Sequence, residues 1–324
     1  GNTTNEADTI TSAIASLTGS TITGGAGADN LVLSDVGAIG ALAATVTEVE
    51  TLTLADGTNT GLQFNAAGVF TSVTGGTGAD TIADTANLDA GGTISLGGGD
   101  DVITALSANL ALSTIDMGAG NDSLTSTVGG AITTTLVGGA GTNDVISLAT
   151  GDDISGAAVS GFEDLTLANN ASVIATFAQT VALTGGTVTA AGGETVTPSA
   201  SAGGSITLSS VIETYNFANV TSAVTADASA TANFTITGSG SADSIALGAA
   251  GTAADTINTL AGTDTIVATG ALTTDAGYTN MEVFDLNYAT AATFTTGALA
   301  TLEPVSIDAS DSTAAVAINA ADYN

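Results

Sequence analysis

The segment GGTGADTIADTANLDAGGTISLGGGDDVITALSANLALSTIDMGAGNDSLTS, residues 75–126, contains three Gly-rich turns, and each leads into Asp, any residue, and Ile or Leu. The three Asp residues, Asp80, Asp101 and Asp122, are evenly spaced with a step of 21. β-Branched residues follow each turn and favour short strands. Such a regular step fits one coil of a solenoid that contains two short strands and two turns.

The same turn recurs on both sides of this segment. It is found as GGAGADNLVL at Asp29, GGAGTNDVISL at Asp144, GSGSADSIAL at Asp243 and, in a weaker form, LAGTDTIVA at Asp264. The step from Asp122 to Asp144 is 22, and that from Asp243 to Asp264 is again 21. The pattern therefore predicts one repeated architecture over most of the chain.

A second pattern, an alternating strand that follows Glu, suggests an internal duplication. It reads VTEVETLTLAD at Glu50, VSGFEDLTLANN at Glu163, SSVIETYNFANV at Glu213 and, more loosely, NMEVFDLNY at Glu282. A single offset of 163 maps Glu50 on Glu213, Asp80 on Asp243 and Asp101 on Asp264. We expect a first β repeat half at 1–188, a Gly/Ser/Pro-containing junction at 189–205, and a second, diverged half at 206–324.

The predicted fold is all-β, a parallel β-solenoid or β-roll-like stack in two related halves. Tandem β-sandwich modules are the alternative, because intervals of 30 and 50 between motifs do not fit a strict coil. An open end of such a stack is an unpaired sheet edge, and the chain has no Lys to protect it. Association with further copies of the chain is therefore expected.

The composition excludes most enzyme chemistry. The chain has no Lys, Arg, His or Cys, and its 32 carboxylates give a net charge of −32. It lacks an imidazole base, a thiolate and an amine nucleophile, and it would repel nucleic acid and anionic membranes. Hydrophobic residues nevertheless make up 44% and the mean hydropathy is +0.43, which is typical of a folded chain. We expect a folded protein that is not an enzyme, binds no nucleic acid and inserts in no membrane.

Pairs of carboxylates among Glu50, Glu163 and Glu213 are a candidate for glycosidase chemistry, which needs two carboxyl groups about 5 to 10 Å apart. Their repeated strand position instead favours a solvent-facing residue or an additional ion ligand. A carboxylate-only polysaccharide lyase or hydrolase would lack the basic residue that acidic sugars call for.

The turns have the composition of calcium sites. A Gly-rich turn that points its carbonyls inward and ends in Asp offers several hard oxygen ligands, and Ca²⁺ takes six to eight of these at about 2.3–2.6 Å. For a single turn the alternative is stronger, since Asp and Gly favour turns without any metal. Repetition and the uncompensated negative charge favour calcium as the cofactor.

GGAGADNLV and GGTGADTIA match the nonapeptide G-G-x-G-x-D-x-U-x in full. At these positions the chain resembles the RTX calcium-binding repeat family. The resemblance implies that Gly carbonyls and Asp side chains of adjacent turns hold calcium, and that the protein leaves the cell by type I secretion. RTX motifs stand in tandem, nine residues apart, whereas the step here is about 21. This looser step and the VETLTL strands resemble the lattice regions of secreted surface-layer (S-layer) proteins and large adhesins.

The predicted ligands follow from these motifs. The side-chain ligands are Asp29, Asp80, Asp100, Asp101, Asn121, Asp122, Asp144, Asp153, Asp243, Asp255 and Asp264. The backbone ligands are Gly25, Gly27, Gly76, Gly78, Gly98, Gly118 and Gly120.

The expected function is that of a structural extracellular protein, a subunit of a calcium-stabilised surface layer or filament. The alternative is the repeat shaft or ligand-binding section of a large secreted adhesin. The expected partners are further copies of the chain, with cell-surface polysaccharide as a second candidate, and the expected location is the cell surface. The opening GNTTNEAD shows no initiator Met or signal pattern, which favours a mature or excised segment.

Overall fold

The chain folds as a parallel β-solenoid. A computed structural model describes residues 6–17, 19–39, 45–63, 70–84, 91–110, 112–230, 233–248, 255–274, 277–296 and 306–319. By its internal contacts the chain divides into unit 1, residues 1–166, and unit 2, residues 167–324. The predicted junction at 189–205 lies inside unit 2, so it remains a prediction about the duplication alone.

Unit 1 contains two sheets of stacked strands, a third short sheet and a single α-helix among the described residues. In chain order its elements are β1 Thr9–Ser12, α1 Ile14–Leu17, β2 Thr21–Thr23, β3 Asn30–Leu33, β4 Gly37–Ala38, β5 Thr45–Thr47, β6 Thr51–Thr53, β7 Asn59–Gln63, β8 Ser72–Thr74, β9 Asp80–Asp84, β10 Thr93–Ser95, β11 Val102–Ala105, a 3₁₀ turn Ser107–Leu110, β12 Thr114–Gly118, β13 Ser123–Ser126, β14 Thr135–Gly139, β15 Val145–Leu148, β16 Ala158–Ser160 and β17 Asp164–Leu167, which ends just past the division.

The first sheet has the strand order β1-β3-β6-β8-β10-β12-β14-β16, and the second runs β4-β7-β9-β11-β13-β15-β17. From β6 to β17 the chain thus alternates between the two sheets and adds one strand to each per turn, whereas β2 and β5 form the third sheet.

Unit 2 follows the same plan with a helix inserted near its start. Its elements are β18 Ser172–Ala175, α2 Phe177–Thr184, β19 Thr187–Thr189, β20 Thr195–Pro198, β21 Ser205–Thr207, β22 Thr214–Asn216, β23 Thr225–Asp227, β24 Thr235–Thr237, β25 Ser244–Leu247, β26 Thr256–Asn258, β27 Thr265–Ala268, β28 Leu272–Thr274, β29 Tyr278–Thr279, β30 Val283–Leu286, β31 Ala292–Thr296, β32 Ser306–Asp308 and β33 Val316–Asn319.

The sheets of unit 2 are β18-β20-β22-β24-β26-β29, β21-β23-β25-β27-β30-β32 and the short β28-β31-β33. The capping box of Thr176 and Gln179 starts α2, because each side chain accepts the other residue's backbone N–H. Thr176, which directly follows β18, therefore begins the helix.

The strands pair in parallel with the register that the motif spacing predicts. Thr93 pairs with Thr114 and Val102 with Ser123, in each case one motif step further along the chain. The parallel pairing confirms the predicted β-solenoid and contradicts the alternative of tandem β-sandwich modules, whose sheets are antiparallel.

The core of unit 1 contains columns of aliphatic side chains, and in unit 2 aromatic side chains such as Tyr215, Phe217 and Phe284 are also fully buried. Along the first sheet of unit 1 the second residue of β6, β8, β10 and β12 points inward. These residues are Leu52, Val73, Ile94 and Ile115, and each is at most 1% exposed. The residues on either side point outward because successive strand side chains alternate in direction. Thin stacked layers therefore bury the small apolar residues that dominate this composition. The described residues include no helix with the length and apolar character needed to cross a bilayer.

Candidate functional site

A ladder of carboxylates runs along the second sheet of unit 1, at the point where each turn enters its strand. In each step a backbone N–H donates to a carboxylate of the ladder residue one turn later in the chain. The N–H of Asp80 donates to Oδ1 of Asp101 at 2.7 Å. The ladder is Asn59, Asp80, Asp101, Asp122, Asp144 and Glu163, and its steps measure 3.1, 2.7, 2.7, 2.8 and 3.0 Å.

The ladder provides an acceptor for a backbone N–H that the strand pairing leaves without a partner. The carbonyl of Asp101 accepts the N–H of Ser123 at 2.8 Å, as ordinary parallel pairing requires. The N–H of Asp101 instead meets the Asp122 carboxylate, at 2.7 Å. Such short contacts are typical of charge-assisted hydrogen bonds. Asp at this position is therefore a structural requirement of the stacked turns, with or without a metal.

Two further ladders repeat this arrangement and explain the Glu pattern. In unit 1 the N–H of Asp8 donates to Asp29, and the N–H of Asp29 donates to Glu50. In unit 2 the corresponding series is Val224, Asp243, Asp264 and Glu282. In these ladders Glu is the last acceptor along the chain. Glu50, Glu163 and Glu282 thus each close a ladder. Glu50 and Glu282 are partly buried, whereas Glu163 is exposed, as expected for a solvent-facing residue.

Six of the ladder Asp residues have one carboxylate oxygen without a partner among the described residues, whereas the Oδ2 of Asp243 accepts the N–H of Ser239 at 2.6 Å. Asp29, Asp101 and Asp122 are 0–1% exposed, and their Oδ2 atoms are buried with no hydrogen-bond partner among the described residues. The same holds for the Oδ2 atoms of Asp80, Asp144 and Asp264. An unsatisfied buried carboxylate oxygen is costly. Because the chain has no cationic side chain, only a proton, a water or a bound cation can complete these groups.

The electrostatics agree with this geometry. Burial raises the pKa of Asp101 to about 7, the N–H of Asp80 opposes the rise, and the negative charges of Asp122, Asp80 and Asp100 add to it. Burial also raises the pKa of Asp122, and the charge of Asp144 contributes. The pKa values of Asp80, Asp144 and Asp264 are raised in the same way, chiefly by burial. Ionised carboxylates one turn apart thus disfavour one another in this ladder.

Asp100 and Asn121 form a second, outer column, whose hydrogen bonds run in the opposite direction along the stack. The N–H of Asn121 donates to Oδ1 of Asp100 at 2.8 Å, and the N–H of Thr142 donates to Oδ1 of Asn121 at 3.3 Å. Here the side chain of the earlier turn accepts from the later turn. Both residues are exposed, so they lie on the solvent side of the turns.

Asp153 and Asp255 lie outside both columns. Asp153 accepts the N–H and the hydroxyl of Ser155, at 2.9 and 2.6 Å, in a local turn. Asp255 is 1% exposed and accepts the N–H of Phe234. These two residues precede β26 and β24, which belong to a sheet that contains none of the ladders. The structure therefore does not bring these two predicted ligands to the ladders.

The predicted backbone ligands all lie in or beside the turns, and some of their carbonyls already have partners. The carbonyl of Gly76 accepts the N–H of Gly98 at 2.8 Å, and that of Gly118 accepts the N–H of Ala140 at 2.7 Å. A carbonyl has two lone pairs, so these groups keep one for a further ligand. The predicted set is completed by Gly25, Gly27, Gly78, Gly98 and Gly120.

Glycine at these positions is explained by the close approach of successive turns. A Cβ built on Gly139 would lie 1.8 Å from the carbonyl oxygen of Gly118, and one built on Gly118 would lie 2.1 Å from that of Gly97. A second column repeats this, since a Cβ on Gly120 would lie 1.9 Å from the Gly99 oxygen. Any side chain would push the turns apart, so the Gly-rich turns need no metal to account for them.

Two buried acidic residues, Asp152 and Glu194, were not predicted from the motifs. Asp152 is fully buried and accepts the N–H groups of Ala149 and Gly130, at 2.8 and 3.2 Å, and the Ser107 hydroxyl at 2.5 Å. Glu194 is also fully buried, and it accepts the N–H groups of Ala191 and Gly192. The GDD triplet at 151–153 was the available signal, because GDD at 99–101 likewise contains a buried Asp.

Among the described residues, no group of three or more acidic side chains stands close enough to hold a metal ion. An ion at the ladder would therefore have at most two carboxylates and would take its other ligands from carbonyls and water. No protein-family model, no curated protein and no solved structure matches this chain.

Proposed function

We propose that this protein is a structural subunit of a calcium-stabilised extracellular assembly, a surface layer or a filament, and that it has no enzymatic activity. The observation that carries the proposal is the series of buried, unpartnered Oδ2 atoms in the ladders of a chain without cationic side chains. A divalent cation is the partner that such a series calls for, since carboxylate and carbonyl oxygens are the ligands that Ca²⁺ prefers.

The proposed calcium ligands are the ladder carboxylates and the turn carbonyls beside them. Asp101 and Asp122 would share an ion with carbonyl oxygens of Gly98 and Gly120, and the same arrangement would recur at Asp29, Asp80, Asp144 and Asp264. Asp243 is left out, because both of its carboxylate oxygens already accept hydrogen bonds. Calcium would neutralise adjacent carboxylates and join successive turns. Because unfolded chains lack the site, binding would stabilise the fold by mass action.

The outer column has a different part in the proposal. Asp100 and Asn121 are exposed, so a cation bound there would be open to a second molecule. Calcium would then act within the fold at the ladders and between molecules at the exposed carboxylates. Asp153 and Asp255 are left out of the proposed sites, because their hydrogen bonds place them elsewhere.

The proposed partners are further copies of the chain. A net charge of −32 keeps monomers apart in the absence of cations. Extracellular calcium would bridge or screen these charges, which agrees with an exported protein at the cell surface. Cell-surface polysaccharide remains a proposed second partner.

Light scattering tests the proposal. The purified chain is mixed with millimolar calcium or with sodium at matched ionic strength, and negative-stain microscopy identifies any lattice or filament. Specific carboxylate bridging predicts assembly in calcium alone, whereas simple screening predicts the same result in both salts. A chain that stays monomeric in both salts would contradict assembly and favour the shaft of a secreted adhesin.

A further inference from the structure

One face of unit 2 is free of charged side chains. The outward residues of β18, β20, β22, β24, β26 and β29 form two columns that follow the strand register. The first column is Ser172, Thr195, Thr214, Thr235 and Thr256, and the second is Ile174, Thr197, Asn216, Thr237, Asn258 and Thr279. All are partly or fully exposed.

The acidic residues that precede strands of this face accept hydrogen bonds from backbone N–H groups. Glu194 and Asp255 precede β20 and β26, and both are at most 1% exposed. Glu213 precedes β22, and its Oε2 accepts the N–H of Glu194 at 3.0 Å. Their carboxylates are thus held by backbone groups at the strand entrances, which leaves the face itself neutral.

The other large sheet of unit 2 presents the contrast. Its outward residues include the column Thr207, Asp227, Ala246, Val267, Asp285 and Asp308, which follows the register of β21 to β32. Three of these six positions carry a carboxylate. The charges of unit 2 are therefore distributed unequally between its two faces.

We infer that the neutral face of β18–β29 is a contact surface for a second copy of this chain. Every charged side chain of this protein is negative, so two copies repel wherever their carboxylates meet, and a neutral face is where they approach without a bridging cation. This inference rests on the proposed assembly and adds the surface through which copies meet.

The hydroxyl groups suit a contact between identical surfaces. Those of Thr195, Thr214, Thr235 and Thr256 make no hydrogen bond to another described residue. A hydroxyl is both donor and acceptor, so a hydroxyl column is complementary to its own copy, as a two-fold contact requires.

The size of the face indicates a weak contact. Six strands at about 4.8 Å spacing and two outward residues about 6.7 Å apart cover roughly 200 Å². A stable dimer needs about 800 Å² per partner. The face is therefore suited to a repeated lattice contact that gains strength from many copies, and not to an isolated dimer.

Two double variants of the full chain test the inference. Thr214→Asp with Thr235→Asp places two carboxylates on neighbouring strands of the neutral face. Thr225→Asp with Ser244→Asp does the same at the first positions of β23 and β25 on the other sheet. Thr214→Asn with Thr235→Asn is the uncharged control, because Asn has the shape of Asp and already occurs on this face at Asn216.

The readout is the protein concentration at which light scattering in calcium begins to rise. Like charges across a contact cost several kcal/mol, so we expect the Asp pair on the neutral face to raise this concentration at least about tenfold. For the Asn pair and the opposite-face pair, this concentration should stay within about twofold of the wild-type value, well below the tenfold increase. Circular dichroism checks that each variant is folded, and the single variant Thr237→Asp replaces the double variant if that one unfolds.

Assembly of the neutral-face Asp variant at the wild-type concentration would overturn the inference, and so would an equal loss in the opposite-face variant. In both cases the wild-type chain still assembles, and the proposed function stands. A wild-type chain that fails to assemble in calcium overturns the proposed function and this inference together.

Discussion

The backbone N–H of Asp101 donates to Oδ1 of Asp122 at 2.7 Å across one turn of the solenoid, while Oδ2 of Asp122 is buried without a partner. One oxygen of this carboxylate thus holds the earlier turn, and the other is unsatisfied. The hydrogen bond of Asp122 therefore stabilises the stack, whereas its buried, unpartnered oxygen destabilises it. Four predictions test this balance and the stacking of the turns.

Chelation should lower the melting temperature. If calcium binds the folded chain alone, a concentration 100 times the dissociation constant stabilises it by about 2.7 kcal/mol per site. One kcal/mol shifts Tm by about 2–4 °C in domains of 150–250 residues. Differential scanning calorimetry in millimolar calcium and in excess EGTA measures the difference, which should be several degrees or more. Identical melting curves would contradict calcium binding.

Asp101→Asn should reduce the stabilisation by calcium. The amide oxygen can still accept the N–H of Asp80, but the buried Oδ2 becomes an amide nitrogen, which donates hydrogen bonds and cannot bind a cation. The quantity to measure is the Tm in calcium minus the Tm in EGTA, and we expect it to shrink by several degrees, about one site's share.

Asp116→Asn is the matched control for this variant. Asp116 points outward from β12 and is partly exposed, so removal of its charge should change stability by no more than about 0.5 kcal/mol in either condition. An equal loss of the calcium effect in both variants would indicate general charge screening rather than a site at the ladder.

Stability without calcium should fall as the pH rises from about 4 to about 8. Burial raises the pKa of Asp101 from 3.8 in the unfolded chain to about 7 in the folded one, so the folded form binds more protons between these values. Its contribution is present below the unfolded pKa and is lost as the pH rises through the folded pKa. The raised pKa values of Asp80, Asp122, Asp144 and Asp264 act in the same direction.

Thermal melts in EGTA across this range measure the pH effect. Calcium should oppose the fall, since ion binding favours the ionised carboxylates. A Tm in EGTA that increases steadily from pH 4 to pH 8 would contradict the buried, mutually repelling ladder.

Gly139→Ala should destabilise the chain by several kcal/mol more than Gly37→Ala. Both glycines have positive φ, +121° and +139°, so alanine is strained at either position. A Cβ at Gly139 would lie 1.8 Å from the Gly118 oxygen, whereas no atom lies within 4 Å of one at Gly37. Overpacking adds typically about 1–3 kcal/mol and sometimes more. Urea denaturation curves compare the two, and equal losses would argue against tight stacking of the turns.

The register of the strands could be predicted because the motif spacing equals the length of one turn. The step from Asp101 to Asp122 is the same as the step between the paired residues Val102 and Ser123. In contrast, the division of the chain after residue 166 leaves no signal in the motifs.

The roles of neighbouring carboxylates could not be read from the sequence. Asp100 and Asp101 are adjacent and chemically identical, yet Asp100 is exposed and accepts from the next turn, whereas Asp101 is buried and accepts from the previous one. The direction in which the turns stack determines which of the two carboxylates is buried, and the motif carries no information about that direction. Asp152 was missed for the same reason, since in the GDD triplet at 151–153 the first Asp is buried and the second is partly exposed.

The glycine columns have a consequence for how such a chain can change over evolutionary time. Each of these glycines contacts the backbone one turn away, so the constraint is local and identical at every step of the stack. Inserting or losing several residues within a turn would shift the glycines that follow it off the carbonyls beneath them, although one extra residue is accommodated between Gly141 and Asp144, where the step is 22. Inserting or losing a whole turn creates no new kind of contact. Proteins built in this way should therefore vary in length by whole turns, each as long as the step from Asp80 to Asp101.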